Sequence, residues 1–194
     1  QYQNQKIAIG FYEDLKELTK GQNMEQPDMV ICCGCNVYNY NKPYRTRYRM
    51  HKIVEHLNTS LVYVNRIGGE GSYLYAGGSM ALNAAGSVLC QLPYFEEESK
   101  TVDLQLLESY DDEKPSIVEL VYKALVMGIR EYFHKNGLKK ALIGLSGGID
   151  SAIVAVLAVD ALGGENVRGV MLPSQYSSDH SINDAVALAK NLGM

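Results

Sequence analysis

Ser146-Gly147-Gly148-Ile149-Asp150-Ser151 lies between two apolar runs, Ala141-Leu142-Ile143-Gly144-Leu145 before it and Ala152-Ile153-Val154-Ala155-Val156-Leu157-Ala158 after it. That order predicts a buried strand, a tight glycine turn and the start of a helix. Paired glycines let the backbone turn sharply and bring its N–H groups close to a ligand with no Cβ in the way. Those N–H groups, together with the positive end of the helix dipole, form an anion site. Ser146 and Ser151 add hydroxyl donors beside it. Asp150 would repel a phosphate, so its position makes sense if it holds a divalent cation such as Mg²⁺. No Gly-Lys-Ser/Thr follows, so this is not a Walker loop. A plain strand-to-helix turn is the bland alternative, and the aspartate and two serines weigh against it.

Working outward, Gly163-Gly164 closes the helix, and Val167 to Leu172 reads as the next strand. Pro173 to Ser178 is a polar loop, and Ser181 to Leu192 is a helix closed by Gly193. A β-α-β-α order predicts a parallel sheet, whose ligands lie beyond the carboxyl ends of the strands. The Gly147 loop and the Gln175 loop then share one rim. Upstream, Ser116 with Glu119 three residues on forms a capping box. Ile117, Leu120, Val121, Ala124, Leu125 and Tyr132 continue that helix at helical spacing until Asn136-Gly137. Residues 105–115 are acidic and poor in apolar side chains, and mark a domain boundary between residues 1–104 and 116–194.

The first part reads as strands at Lys6–Phe11, Met29–Cys33 and Leu61–Asn65. Residues 16–27 read as a loop, and Tyr44–Leu57 as a basic amphipathic helix whose charges form a solvated face. Gly68 to Gly71 is a turn. Tyr75–Leu82 and Val88–Leu92 form a hairpin around Asn83-Ala84-Ala85-Gly86, and Thr101–Leu104 is a last short strand. Cys32 and Cys33 point to opposite faces of their strand and read as buried thiols. Cys35, at the strand's end, is the better candidate for reactivity, and no nearby His completes a zinc pattern.

With 46% apolar residues, the 194-residue chain can bury a core. Its net charge of −4 argues against nucleic-acid binding driven by bulk charge. No apolar run approaches a membrane span and no signal peptide is visible, so no membrane partner is expected. Three of its four cysteines are crowded at 32, 33 and 35, unlike a secreted disulfide framework, so a reducing cytoplasm is the expected location.

The 146–151 loop resembles the PP-loop, S-G-G-x-D-S, of ATP pyrophosphatases. Residues 144–194 resemble the start of the synthetase domain of NAD⁺ synthetases, through that loop and Val159-Asp160-Ala161-Leu162-Gly163. Leu172-Pro173-Ser174-Gln175-Tyr176-Ser177-Ser178 and Ala185-Val186-Ala187-Leu188-Ala189 add to the resemblance. Residues 6–104 resemble the C-terminal part of a nitrilase-type amidase, through Val62 to Gly68, Gly77-Gly78-Ser79 and Thr101 to Leu104. The order amidase then synthetase is that of the glutamine-dependent NAD⁺ synthetases.

The resemblance implies an α/β fold. A partial nitrilase-like α-β-β-α sandwich is followed by the start of a Rossmann-like PP-loop sheet of the adenine nucleotide alpha hydrolase-like type. It implies ATP-dependent amidation of nicotinic acid adenine dinucleotide through an adenylated intermediate, with Mg²⁺ and with ammonia taken from glutamine or free in solution. Gly144, Leu145, Ser146, Gly147, Gly148, Ile149, Asp150, Ser151, Leu172 and Gln175 are the implied ATP contacts, with Asp150 the metal ligand. A homo-oligomer is expected on the same ground. The rival readings are another PP-loop amidotransferase and a non-catalytic assembly fragment.

Three departures qualify the resemblance. Tyr12 stands where the family's amidase has its cysteine nucleophile, and a phenol does not do a thiolate's work near neutral pH. Lys42 matches the lysine of the family's glutamine-gripping loop, but Asn36 stands where its serine would be. Finally, the family's upstream Glu and Lys and its later substrate-binding residues have no counterpart here, so the chain is expected to be a piece of a longer protein with no intact glutaminase site.

Overall fold

A computed structural model describes residues 4–15, 26–106, 115–171 and 179–194. The chain divides into two compact units, Gln1–Val121 and Tyr122–Met194. The α/β architecture expected from the sequence is the one observed, an amidase-like part followed by the beginning of a PP-loop sheet. Most of the expected linker, residues 107–114, falls outside the described residues.

The first unit is built on a five-stranded sheet in the order β1-β2-β3-β6-β7. Its strands are β1 (Ile7–Phe11), β2 (Met29–Gly34), β3 (Ser60–Asn65), β6 (Met80–Leu82) and β7 (Val88–Gln91). The first three run parallel, with Ile9 opposite Ile31 and Ile31 opposite Val62. The last two join antiparallel, with Tyr63 opposite Met80. Strand side chains alternate between faces, so one set meets helix α1 (Lys42–Leu57). Val30, Cys32, Leu61 and Tyr63 from the sheet pack there with Met50, Ile53 and Val54 from the helix. The buried positions Thr46, Met50, Ile53 and Val54 form one helical stripe, and the basic residues lie outside it, as the sequence predicts.

The other sheet face is apolar too, but open at one edge: Ile9 is 72% and Phe11 67% exposed.

Three expectations fail in this unit. Gly68 to Gly71 is not simply a turn. Ile67–Glu70 forms strand β4, paired antiparallel with β5 (Tyr73–Ala76) in a sheet of two strands. The expected hairpin arm from Tyr75 to Leu82 is consequently broken into β5 and β6. Gly77 and Gly78, both at φ +67, turn the chain out of one sheet and into the other. There is no room for a side chain at Gly78, because a Cβ would fall within 2.6–2.8 Å of Tyr94 ring atoms. The hairpin turn itself is as expected: Ser87 N–H donates to Asn83 Oδ1 at 2.8 Å. Thr101–Leu104 is irregular and joins no ladder, a third correction.

In the second unit, α2 (Ile117–Lys135, helical from the end of the first unit) precedes β8 (Ala141–Gly144) and α3 (Ile149–Leu162). Then follow a 3₁₀ turn at Gly164–Asn166, β9 (Val167–Val170) and α4 (Asp179–Leu192). At the N-cap of α2 the Ser116 half of the capping box forms, with Glu119 N–H donating to Ser116 Oγ at 3.0 Å. Strands β8 and β9 are parallel, Ile143 opposite Gly169. Leu145, Ala155 and Ala185 make the buried centre, with Ile143, Leu188 and Leu192 against it. The strand before the glycine turn is covered on one face only, since Leu142 is 74% exposed; the reading of a fully buried strand is corrected. Arg130 donates to the carbonyls of Ala161 (3.3 Å) and Asp160 (3.2 Å), closing the last turn of α3. Among the described residues no helix is long and apolar enough to cross a membrane.

Candidate functional site

The 146–151 loop joins β8 to α3. Leu145 N–H donates to Val170 O at 2.9 Å, so the parallel pairing runs on to the edge of the loop. The chain then turns at Gly147, where φ is +79. A Cβ at Gly147 would lie 2.7–2.8 Å from the Cα and C of Ser181 and would also strike its carbonyl oxygen. Only glycine fits both the angle and the space. The N-cap of α3 is Gly148, which has no side chain to cap the first turn. Among the described residues, the first turn of this 14-residue helix has no side-chain cap at its N-cap, the kind of terminus that suits an anion.

Within the loop, Ser151 Oγ donates to Gly148 O at 2.9 Å and receives Ser146 N–H at 3.3 Å. The two hydroxyls are 3.1 Å apart, and Gly148 N–H donates to Ser146 Oγ at 3.3 Å. Ile149 and Asp150 are exposed, and Asp150 lies in the first turn of α3. The helix dipole favours an anionic side chain there. Among the described residues no group of three His, Cys, Asp or Glu side chains converges on one point. A single carboxylate suits Mg²⁺, which is commonly held by one or two protein oxygens, with phosphate oxygens and water completing its shell. Gly144, at the end of β8, and buried Leu145 lead into the loop, while Leu172 and Gln175 lie outside the described residues.

The amidase-side residues come together in the first unit. Tyr12 follows β1, is 7% exposed, and its N–H donates to Cys33 O at 3.0 Å. Its ring lies 6.0 Å from that of Tyr63. Arg49 Cζ is 4.5 Å and Lys42 Nζ 5.5 Å from the Tyr12 ring centroid, so two cations sit against its π-face. Asn36 is 4% exposed, and its Nδ2 donates to Tyr63 Oη at 2.6 Å. Asn36 N–H donates to Asn65 Oδ1 at 3.2 Å. The Tyr63 hydroxyl is pushed above the ordinary range, chiefly by burial. The cavity shared by Asn36, Lys42, Tyr63 and Asn65 is about 20 Å³, about the space one water needs. A larger hollow of about 460 Å³, lined by Val64, Cys90 and Leu92, contains none of the predicted site residues.

Of the cysteines, Cys32 is buried, its thiol pushed up to about 12 chiefly by burial. Cys33 is half-buried rather than buried, because it belongs to the open sheet face. Cys35 is exposed, with Arg66 Nη1 4.0 Å from its sulfur. Two neighbours were missed from sequence. Arg49 lies seven residues from Lys42, and that heptad spacing puts both on one face of α1. The Ser181 backbone is what lies against Gly147, and a backbone contact of this kind leaves no sequence signal.

Comparison with known proteins finds relatives along the whole chain. A family model described as NAD synthase matches residues 121–194. A glutamine-dependent NAD⁺ synthetase of Synechocystis sp. is 40% identical over a 218-residue alignment covering all of this chain and 38% of the relative. The corresponding protein of Rhodobacter capsulatus is 46% identical over 140 residues, 69% of this chain and 25% of the relative. A solved glutamine-dependent NAD⁺ synthetase of Acinetobacter baumannii, in complex with ADP, superimposes with a TM-score of 0.88 at 29% identity, covering 100% of this chain and 38% of that one. The chain thus spans about two fifths, or less, of the length of these relatives. It belongs to the glutamine-dependent NAD⁺ synthetase family.

Proposed function

We propose that the intact protein makes NAD⁺ by ATP-dependent amidation of nicotinic acid adenine dinucleotide, and that its amidase half does not hydrolyse glutamine. The observation that carries the first part is the β8–loop–α3 junction, where Gly147 turns at φ +79 into an uncapped helix N-terminus. Such a junction binds phosphate through oriented N–H groups. The ADP bound by the Acinetobacter baumannii relative supports nucleotide binding by this protein.

In this reading the substrate carboxylate oxygen attacks the α-phosphorus of ATP, pyrophosphate leaves, and an acyl adenylate forms. Ammonia then attacks the acyl carbon, AMP leaves with its bond electrons, and the ammonium-derived protons pass to water. The loop's N–H groups hold the β- and γ-phosphates through departure, stabilising charge where it accumulates. Asp150 would hold Mg²⁺, which supplies charge compensation for the leaving pyrophosphate. Leu145 fixes the loop's root in the core, and Leu172 and Gln175 contact the nucleoside.

The second part rests on Tyr12. A buried phenol, packed against Tyr63 and under two cations, stands where the family resemblance puts the nucleophile. Asn36 is engaged with Tyr63, and the cavity beside Lys42 is too small for a glutamine side chain. The nitrogen donor is therefore free ammonia. The crowded cysteines suit a reducing cytoplasm, and a homo-oligomer is what the family resemblance implies.

The test is NAD⁺ and AMP formation from nicotinic acid adenine dinucleotide, ATP and Mg²⁺, with ammonium or glutamine as donor. Ammonium is expected to support turnover and glutamine not. Equal rates with glutamine would sink the assignment of Tyr12 and make Cys35 the next residue to substitute. Failure with both donors would move the protein to another PP-loop chemistry or to a non-catalytic role.

A further inference from the structure

The two serines of the 146–151 loop are chemically alike, yet their hydrogen bonds separate their roles. A hydroxyl has one proton to give and two lone pairs to receive. Ser151 Oγ makes its shortest bond, 2.9 Å, to Gly148 O, and a carbonyl can only accept. That bond takes the single Ser151 proton. The proton between the two hydroxyls, 3.1 Å apart, must then come from Ser146. Ser146 N–H, at 3.3 Å, fills the other lone pair of Ser151. Ser151 Oγ is thereby saturated within the loop, while Ser146 Oγ receives Gly148 N–H at 3.3 Å and, among the described residues, keeps one lone pair free.

Rotating the Ser146 hydroxyl outward frees its proton for a phosphate and leaves Ser151 bound to Gly148 O and Ser146 N–H. Rotating the Ser151 hydroxyl outward instead strips Gly148 O of a partner. Gly148 O also receives Ala152 N–H at 3.1 Å, the first rung of α3, so this carbonyl is where the loop and the helix are joined. On the other side of the loop, the Ser181 backbone sits where a Cβ at Gly147 would be. The loop is thus held from within by a side chain and from without by α4.

Taking the nucleotide-binding reading above as given, the geometry assigns Ser151 as a positioning residue: a brace that holds Gly148 and the first turn of α3 in their phosphate-binding arrangement. Ser146 is the serine that gives its proton to the ligand. The loop is preformed, and binding does not have to order it.

The experiment uses the intact protein, with inorganic pyrophosphate as the probe for binding and amide hydrogen exchange of Ala152 and Ile153 in the absence of any nucleotide. Ser146→Ala should weaken pyrophosphate binding by about ten- to a hundredfold, the loss expected for a hydrogen bond to a charged group. It should leave the exchange of Ala152 and Ile153 unchanged. Ser151→Ala should accelerate that exchange in the free protein and also weaken binding, with the melting temperature of the rest of the protein unmoved. Ser151→Thr, which keeps the hydroxyl, should restore both. The assignment is overturned if Ser151→Ala weakens pyrophosphate binding without changing free-state exchange, because Ser151 would then be a direct ligand. It is equally overturned if Ser151→Thr restores neither. Absence of pyrophosphate and ATP binding in the wild-type protein would instead refute the nucleotide reading; the exchange comparison between Ser151→Ala and Ser151→Thr would still decide the brace.

Discussion

The Tyr12 ring packs against Tyr63 and beneath Arg49 and Lys42, and these contacts require a ring rather than a hydroxyl. Tyr12→Phe should therefore be close to neutral in denaturant unfolding, whereas Tyr12→Ala should cost about 3–5 kcal/mol, the usual loss for a buried aromatic. Equal losses would mean that the hydroxyl carries the contact. Tyr12→Cys should not make glutamine a nitrogen donor, since Asn36 and the small cavity beside it are unchanged. Cys32 offers a pH-dependent counterpart. Its thiol is pushed up to about 12 by burial, against an ordinary value of 9.0. A raised folded-state value stabilises the protein fully below about pH 9, where thiols in both states are protonated. That contribution falls as pH rises from there through about 12, because the unfolded chain releases its proton first. Unfolding free energies measured across that window should fall less steeply in Cys32→Ala than in the wild type.

Helices and strands differ in how much of their making is local. The N-cap of α2 was readable because Ser116 and Glu119 are three residues apart, and the Ser116 half of the capping box forms, Glu119 N–H donating to Ser116 Oγ. Ser116→Ala should cost about 1 kcal/mol, measured by thermal or denaturant unfolding, and Ser116→Asp should cost little. The strand–turn–helix at 141–162 was equally legible, since apolar runs and paired glycines are neighbours in sequence. Strand β4 was not. Gly68 and Gly69 carry no strand signal of their own, and they pair because Tyr75 and Leu74 lie opposite them after a turn at Gly71. Thr101–Leu104 shows the converse, a β-prone sequence with no ladder to join. In the candidate site, residue types were legible and partners were not. The proton count that separates Ser146 from Ser151 depends on distances of a few tenths of an ångström. At Gly147, the sequence indicates a turn, but the Ser181 backbone beside it is brought there by the packing of Ala185 on Leu145. Gly147→Ala should therefore cost more than the 1–2 kcal/mol of a left-handed alanine, and pyrophosphate binding should be lost with it. A smaller loss with binding retained would show that α4 can yield.

At the scale of the whole chain, the first unit buries one face of its five-stranded sheet and exposes much of the other. The exposed part is concentrated in β1, where Ile9 and Phe11 are mostly open, and it continues to Val64 on β3. Strand β1 is also at the end of the sheet order, so one row of its backbone N–H and C=O groups has no strand beside it among the described residues. Its sequence, Ile7-Ala8-Ile9-Gly10-Phe11, carries no charge and no proline, the devices that normally keep an edge from pairing with another chain. An apolar face and an unguarded edge in the same strand make it the first place for self-association. The relatives that this chain matches are more than twice its length, so the face need not be open in the intact protein. Expressed by itself, the 194-residue chain should bind a hydrophobic dye such as ANS and elute in size-exclusion chromatography at a position that moves with concentration. Ile9→Lys with Phe11→Glu, which leaves the α1-facing core untouched, should reduce both effects and preserve the far-UV circular dichroism. If the wild-type chain is monomeric at all concentrations and binds no dye, the open face is covered by the chain's own residues. The same double substitution in the intact protein would then separate the two explanations. It should destabilise the intact protein strongly if the face is internal there, because it places two charges where apolar contacts were made, and it should be nearly silent if the face is solvent-exposed.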